Sequence, residues 1–152
     1  MAKLGLISNG VDELIVKKMG VNNKNMFSLQ NSRELAQRLQ RGDTLCVASV
    51  GSVNKSVNGL WNTFNDLSNS GVDFASCDEK RLNFSVDKPL PSTVRQTITI
   101  MSQAENEILA LLSYCRMDSG HRVQAGIRIQ AELLRILTHI FNNETVHKFR
   151  GS

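Results

Sequence analysis

Thr44-Leu45-Cys46-Val47-Ala48-Ser49-Val50 decides the fold. The run is apolar without alternation and short. It is entered through Gly42-Asp43 and left through Gly51-Ser52. A strand buried on both faces reads this way, and such strands belong to parallel sheets covered by helices. On its N-terminal side the chain repeats one theme. Leu4 to Ser8 reads as a strand that ends at the turn Asn9-Gly10, and Val11 to Met19 as a helix closed by Gly20. Met26 to Leu29 reads as a second short strand. Asn31-Ser32 can cap a helix over Arg33 to Gln40, with Leu35 and Leu39 on one face and Gly42 as its stop. On the C-terminal side Val53, Val57, Leu60, Phe64 and Leu67 recur at steps of 4, 3, 4 and 3, which predicts one helix ending at Gly71. Val72 to Cys77 reads as the next strand and Arg81 to Val86 as a short edge strand. Strands alternating with helices predict an α/β unit of about four strands, mostly parallel, with helical crossovers.

The pattern changes at Asp87-Lys88-Pro89-Leu90-Pro91, which holds both prolines of the chain. A long helix is expected from Ser92 to about Met117. Val94, Ile98, Met101, Glu105, Ile108, Leu112 and Cys115 repeat along it at steps of 4, 3, 4, 3, 4 and 3, a coiled-coil-like seam with one acidic interruption. Asp118-Ser119-Gly120 allows a kink or a break. A last helix is expected over His121 to Asn142, apolar on more than one stripe, so it needs a partner surface: the chain's own core or another subunit. Residues 1–88 thus read as the α/β core, 89–142 as helices of the same domain, and 143–152 as a flexible polar tail.

The chain of 152 residues suits one domain. No apolar run reaches the roughly 20 residues of a membrane span, and Met1 to Ser8 is too short for a secretory signal, so a cytoplasmic protein with no membrane role is expected. Cys46, Cys77 and Cys115 are widely spaced and each falls in an apolar segment. They read as small buried hydrophobes, not as a disulfide framework or a zinc site. His121, His139 and His147 have no ligand spacing, and neither a metal nor a cofactor is expected. The net charge is +4, and it leans toward the C-terminal part: 10 Lys/Arg against 9 Asp/Glu in residues 1–87, 8 against 5 in residues 88–152. Much of that excess is arginine, whose planar fork suits phosphate oxygens, although a solvated helix face reads the same way.

Several segments resemble one family in the right order. Arg33 to Val47, with its Gly42-Asp43-Thr44-Leu45 turn into a central strand, is similar to the corresponding segment of the serine recombinases, the resolvase/invertase family. So are Gly71-Val72-Asp73-Phe74 at a strand entry and Met101 to Ile108 at the start of the family's long dimerisation helix. Arg122-Val123-Gln124-Ala125-Gly126 resembles its "Arg-x-x-Ala-Gly" signature. The resemblance covers roughly residues 1–130 and implies a resolvase-like fold. The family cuts DNA with a serine in a "Tyr-x-Arg-x-Ser" pattern after the first strand, and holds the phosphate with an "Asp-Arg-x-x-Arg" pattern after the central strand. Here these read Leu6-Ile7-Ser8-Asn9-Gly10 and Gly51-Ser52-Val53-Asn54-Lys55. The nucleophile position is Gly10, its arginine position is Ser8, and only Lys55 keeps a charge. A serine without a phosphate clamp is a poor nucleophile, so no catalytic residue is expected from Ser8, Ser49 or Ser52. The segment beyond Arg128 is also too short for the family's helix-turn-helix reader.

The resemblance therefore implies a catalytically inactive, dimeric, DNA-associated regulator or accessory factor, whose expected partners are further copies of itself in a homodimer or higher oligomer, DNA bound weakly and mostly without regard to sequence, and a second recombinase or regulator. The dimer interface is expected at Val94, Ile98, Met101, Ile108, Leu112 and Cys115. Phosphate contacts are expected at Arg116, Arg122, Arg128 and Arg135, because the family's long helix passes over the minor groove at its far end. Two alternatives stay open: an oligomerisation module that binds no DNA, and an active recombinase with a rearranged site.

Overall fold

The computed structural model describes residues 1–145, so most of the expected tail, 146–152, lies outside the described residues. The elements run β1 (Lys3–Ile7), α1 (Gly10–Lys18), β2 (Met26–Ser28), α2 (Ser32–Arg38), β3 (Thr44–Val47), α3 (Val50–Val53), α4 (Val57–Asn69), β4 (Asp73–Ser76), α5 (Ser92–Leu112) and α6 (Ser119–Phe141). The four strands form one sheet in the order β2-β1-β3-β4, and every neighbouring pair is parallel. The expected α/β architecture is present.

The strand order explains where the helices lie. α1 carries the chain from β1 to one side, whereas α2 and α4 carry it the other way. Right-handed crossovers then put α1 on one face of the sheet and α2 and α4 on the opposite face. Alternation along each strand divides the core accordingly. Leu4, Leu45, Val47 and Phe74 join Leu35, Leu60, Phe64 and Leu67 in the larger cluster, whereas Cys46 and Ala48 join Val16 and Val21 in the smaller one. α1 sits close to β1 because Gly5 has no side chain. A Cβ there would lie 2.4 Å from Val16 Cγ1, a side chain with no room to retreat.

The turn into β3 shows why its sequence is as it is. Gly42 stands at φ +91, a backbone state that favours glycine. The Asp43 carboxylate accepts the N–H of Ala2 and the N–H of Gln40, each at 2.9 Å, and so ties this turn to the start of the chain. Gly42 lies beyond the end of α2, which stops at Arg38 with Leu39 already extended, so it serves the turn and not the helix.

Other boundaries depart from the sequence expectations. The stripe from Val53 to Leu67 is not one helix: α3 ends at Val53, and α4 starts anew after Ser56, whose side chain accepts the N–H of Gly59. The segment expected as an edge strand, Arg81 to Val86, is a 3-10 turn over Lys80–Leu82 and a single antiparallel bridge, Phe84 to Phe74. The Phe84 ring stacks on Phe74 and meets Phe64 edge-on. α5 stops at Leu112, five residues before the expected Met117. α6 begins at Ser119 because Asp118 caps it by accepting the N–H of His121 at 2.8 Å. The connection is therefore a full break, and α5 and α6 pack as a hairpin. Cys46 is buried and Cys77 partly so, but Cys115 is exposed in that connection and is no core residue. Among the described residues, no helix is long and apolar enough to cross a membrane.

The hairpin has two halves of different character. Leu134, Leu137 and Phe141 of α6 and Val94 and Ile98 of α5 are buried in the large core. Toward the connection the same helices outrun the body. Leu111, Tyr114, Val123 and Ile127 are each more than half exposed there. Where the two helices meet in this outer half, Gly126 lies against Leu109 and Leu112.

Candidate functional site

In an open parallel sheet, ligands bind outside the carboxyl ends of the strands, where neighbouring crossovers leave in opposite directions. The order β2-β1-β3-β4 puts that point between β1 and β3. Ser8, Asn9 and Gly10 follow β1 there, Ala48 and Ser49 follow β3, and Cys77, Asp78 and Glu79 follow β4. Both sequence patterns compared with the recombinase motifs therefore open on this crevice or beside it.

Ser8 is exposed and engaged. Its hydroxyl donates to Asp12 Oδ2 at 2.7 Å and its N–H to the same oxygen at 3.0 Å. Asn9 caps α1 by accepting the N–H of Asp12 at 2.9 Å. Asp12 is buried to 6% exposure, so the loop after β1 is held by a carboxylate. On the other side Glu79, 1% exposed, accepts the N–H of Val50 at 2.9 Å and the hydroxyls of Ser49 at 3.0 Å and Ser76 at 2.8 Å. It thereby holds the start of α3. Burial pushes its carboxyl above the ordinary range, and the three hydrogen bonds offset part of that. Burial likewise raises Asp78, and the nearby charges of Asp12 and Glu144 raise it further.

The far end of α6 closes over this crevice. Asn143 donates its backbone N–H to Asp78 O at 2.9 Å and its side-chain N–H to Cys77 O at 2.8 Å, and accepts the N–H of Lys80 at 3.0 Å. The Arg81 guanidinium lies 5.2 Å from the centre of the Phe141 ring. Asn143, where the polar tail is expected to start, thus satisfies three backbone groups of the β4 loop. A cavity of about 390 Å³ remains between them, lined by Ser49, Asp78, Glu79, Arg135, His139 and Glu144 among others. Beside it, Lys55 and Arg135 share a second groove of about 580 Å³ with Gly51 and Ile127.

The expected phosphate contacts do not converge. Arg116 is exposed in the α5–α6 connection. The Arg122 guanidinium donates to Met117 O at 3.1 and 3.0 Å and braces that connection. Arg128 is exposed further along α6. Arg135 is paired with Glu132, its Nε lying 3.1 Å from both carboxylate oxygens. At about 100° per residue, Arg128 and Arg135 share one side of α6 and Arg122 lies about 120° away.

The expected dimer seam is divided. Val94 and Ile98 are buried in the chain's own core, where α5 packs on α4, and are not available to a partner. Met101 packs against that core, Ile108 and Leu112 are half-buried, and Cys115 is exposed. Glu105, the acidic interruption of the seam, is fully buried. Its carboxylate accepts the N–H of Val57 at 2.9 Å and of Asn58 at 3.2 Å.

Sequence reasoning missed Asp12, Asp78, Glu79 and Asn143. Asn9 three residues before Asp12 was a legible capping signal. Nothing local to Asp78-Glu79 marks these carboxylates as neighbours of Asp12 and of the α3 start. Among the described residues, no three His, Cys, Asp or Glu side chains stand together as a metal site. Comparison with protein-family models and with curated proteins finds no match.

Proposed function

We propose that this chain is a catalytically inactive resolvase-like module that self-associates through its helical hairpin and works beside DNA as a regulator or accessory factor of an active recombinase. One observation carries the inactive part. The crevice at the strand ends gathers Asp12, Asp78, Glu79 and Glu144, and Ser8 is hydrogen-bonded to one of them. A phosphodiester brought to Ser8 would meet negative charge where its transition state needs positive charge. Asp12 could accept the serine proton, but it would at the same time repel the substrate. Arg135, the arginine beside the crevice, is paired with Glu132.

The exposed outer half of the hairpin supports self-association. Two hairpins laid together would bury Leu111, Tyr114, Val123 and Ile127 in a four-helix arrangement. The exposed Arg116 and Arg128 of the hairpin support DNA contact of a weak, non-specific kind. Two phosphate contacts would lose affinity by about one order of magnitude between 50 and 200 mM salt.

The experiment has three arms on the full chain. Sedimentation of the parent and of Val123→Glu with Ile127→Glu is expected to shift from dimer to monomer. Gel retardation of duplex DNA is expected to weaken about tenfold over that salt range and to drop further in Arg116→Ala with Arg128→Ala. Incubation with nicked recombination-site DNA is expected to leave no covalent adduct. A serine-linked adduct overturns the inactive reading. A monomeric parent overturns self-association. Retardation absent at micromolar protein leaves a second reading, a protein-docking module without DNA, which the exposed apolar residues of the hairpin favour on their own.

A further inference from the structure

The larger face of the sheet is not fully covered. α2 packs on β1 and β2, and α4 packs on β4 and α5. Between the two helices a cleft of about 430 Å³ opens over the middle of the sheet. Leu6 is in its floor. Leu6 belongs to a central strand of a parallel sheet, where both faces are normally covered, yet it is only half-buried. Leu39 and Val53, also half-buried, form the walls where α2 ends and α3 stops. The break between α3 and α4 thus has a spatial result: Val53 turns toward this cleft and does not continue the α4 stripe.

The rim is chemically one-sided. Among the described residues Asp66 is the only charged one lining the cleft, and it is exposed. The two ion pairs among the described residues, His121 with Asp118 and Arg135 with Glu132, leave it out. Ser32, Asn54, Thr63 and Ser70 add uncharged polar groups to the lining. The volume falls within the range of small-molecule sites, about 300–1,000 Å³, and an apolar floor with a few polar groups at the mouth is their usual make-up. A partner helix fits less well: one turn, about 10 Å across and 5.4 Å long, would already fill the space.

We propose that the α2–α4 cleft binds a small ligand with an apolar body and a single cationic amine end, the body lying over Leu6 and the amine meeting Asp66. This inference is independent of any role in DNA binding or self-association. The amine is chosen because Asp66 would give it a charge-assisted hydrogen bond, and among the described residues no basic side chain lines the cleft to compete for that carboxylate.

The test uses three probes of one shape, phenethylamine, phenethyl alcohol and phenylpropionate, added to the full chain. Methyl NMR signals of Leu6, Leu39 and Val53 provide the readout. The amine is expected to shift these signals saturably in the millimolar range, ahead of the alcohol, with the carboxylate weakest. Asp66→Asn, a change on the exposed surface of α4, is expected to weaken the amine by about threefold and leave the alcohol unchanged. If none of the probes moves the cleft methyls, or if Asp66→Asn weakens the amine no more than it weakens the alcohol, the proposal fails. It also fails if these methyls shift with protein concentration alone, since the occupant is then a second copy of the chain.

Discussion

Glu105 and Glu79 are buried, and each holds the start of a helix. A helix begins with N–H groups that have no partner inside it, and a buried carboxylate is costly unless such donors surround it. Glu105 reaches from α5 to the first N–H groups of α4, forty-eight residues away in sequence at Val57, and so couples the two helices. Glu105→Ala would strand those groups and is expected to cost about 2–3 kcal/mol in denaturant unfolding, whereas Glu105→Gln, which keeps an acceptor, is expected to lose less. In sequence Glu105 is visible only as a flaw in an apolar seam. Spacing shows that it faces inward but not what it meets, because its partners come from a distant segment. Asp78 gives a test through pH. Burial first, then Asp12 and Glu144, raise its carboxyl above the unfolded value. The folded chain therefore holds this proton to higher pH than the unfolded chain does. Stability from this group is fullest below the usual carboxylate range and is lost as pH rises through the raised value. Asp78→Asn is expected to melt higher than the parent near pH 7 and to match it near pH 3, where Asp78 is protonated in both states. Equal melting temperatures at neutral pH would show that these charges do not strain the crevice.

Elements are more legible in the sequence than the contacts between them. Composition locates all four strands because a parallel sheet needs short runs that are apolar on both faces, and β3 is such a run. Helix ends are less legible where the apolar spacing crosses a break. Val53 and Val57 keep helical spacing across Asn54-Lys55-Ser56, yet Ser49 and Ser56 each start a separate helix. Spacing marks the seam of α5 as a face but does not say what that face meets. Its first half serves the chain's own core, and no periodicity distinguishes an internal partner from an external one. The crossing of α5 and α6 offers a direct test. A Cβ on Gly126 would lie 3.4 Å from Leu109 Cδ2 and 4.0 Å from Leu112 Cδ1, ordinary contact distances. Gly126→Ala is therefore expected to raise stability by up to about 1 kcal/mol, the helix-propensity gain over glycine. Gly126→Leu has no such room and is expected to lower the melting temperature by prising the outer half of the hairpin apart. If both variants melt below the parent, the helices meet more tightly there than these distances allow.

At the scale of the whole molecule, one face of the sheet carries only α1 and the other carries all the remaining helices. That imbalance turns the hairpin back across the strand ends and puts its apolar outer half beyond the body. It also leaves two margins of the sheet to be protected. β2 is only three residues long, too short to recruit a neighbour readily. β4 is sealed by residues that form no strand of their own. The outward N–H of Phe74 donates to Phe84 O at 2.9 Å, that of Ser76 donates to Asn83 Oδ1 at 2.7 Å, and Asp73 accepts from Val86 at 3.3 Å. With these groups already satisfied, a neighbouring molecule finds no template on which to stack its own strands. The few residues after the 3-10 turn thus stand where an added strand would pair, and they take β4 out of edge-to-edge growth whatever surface another copy meets.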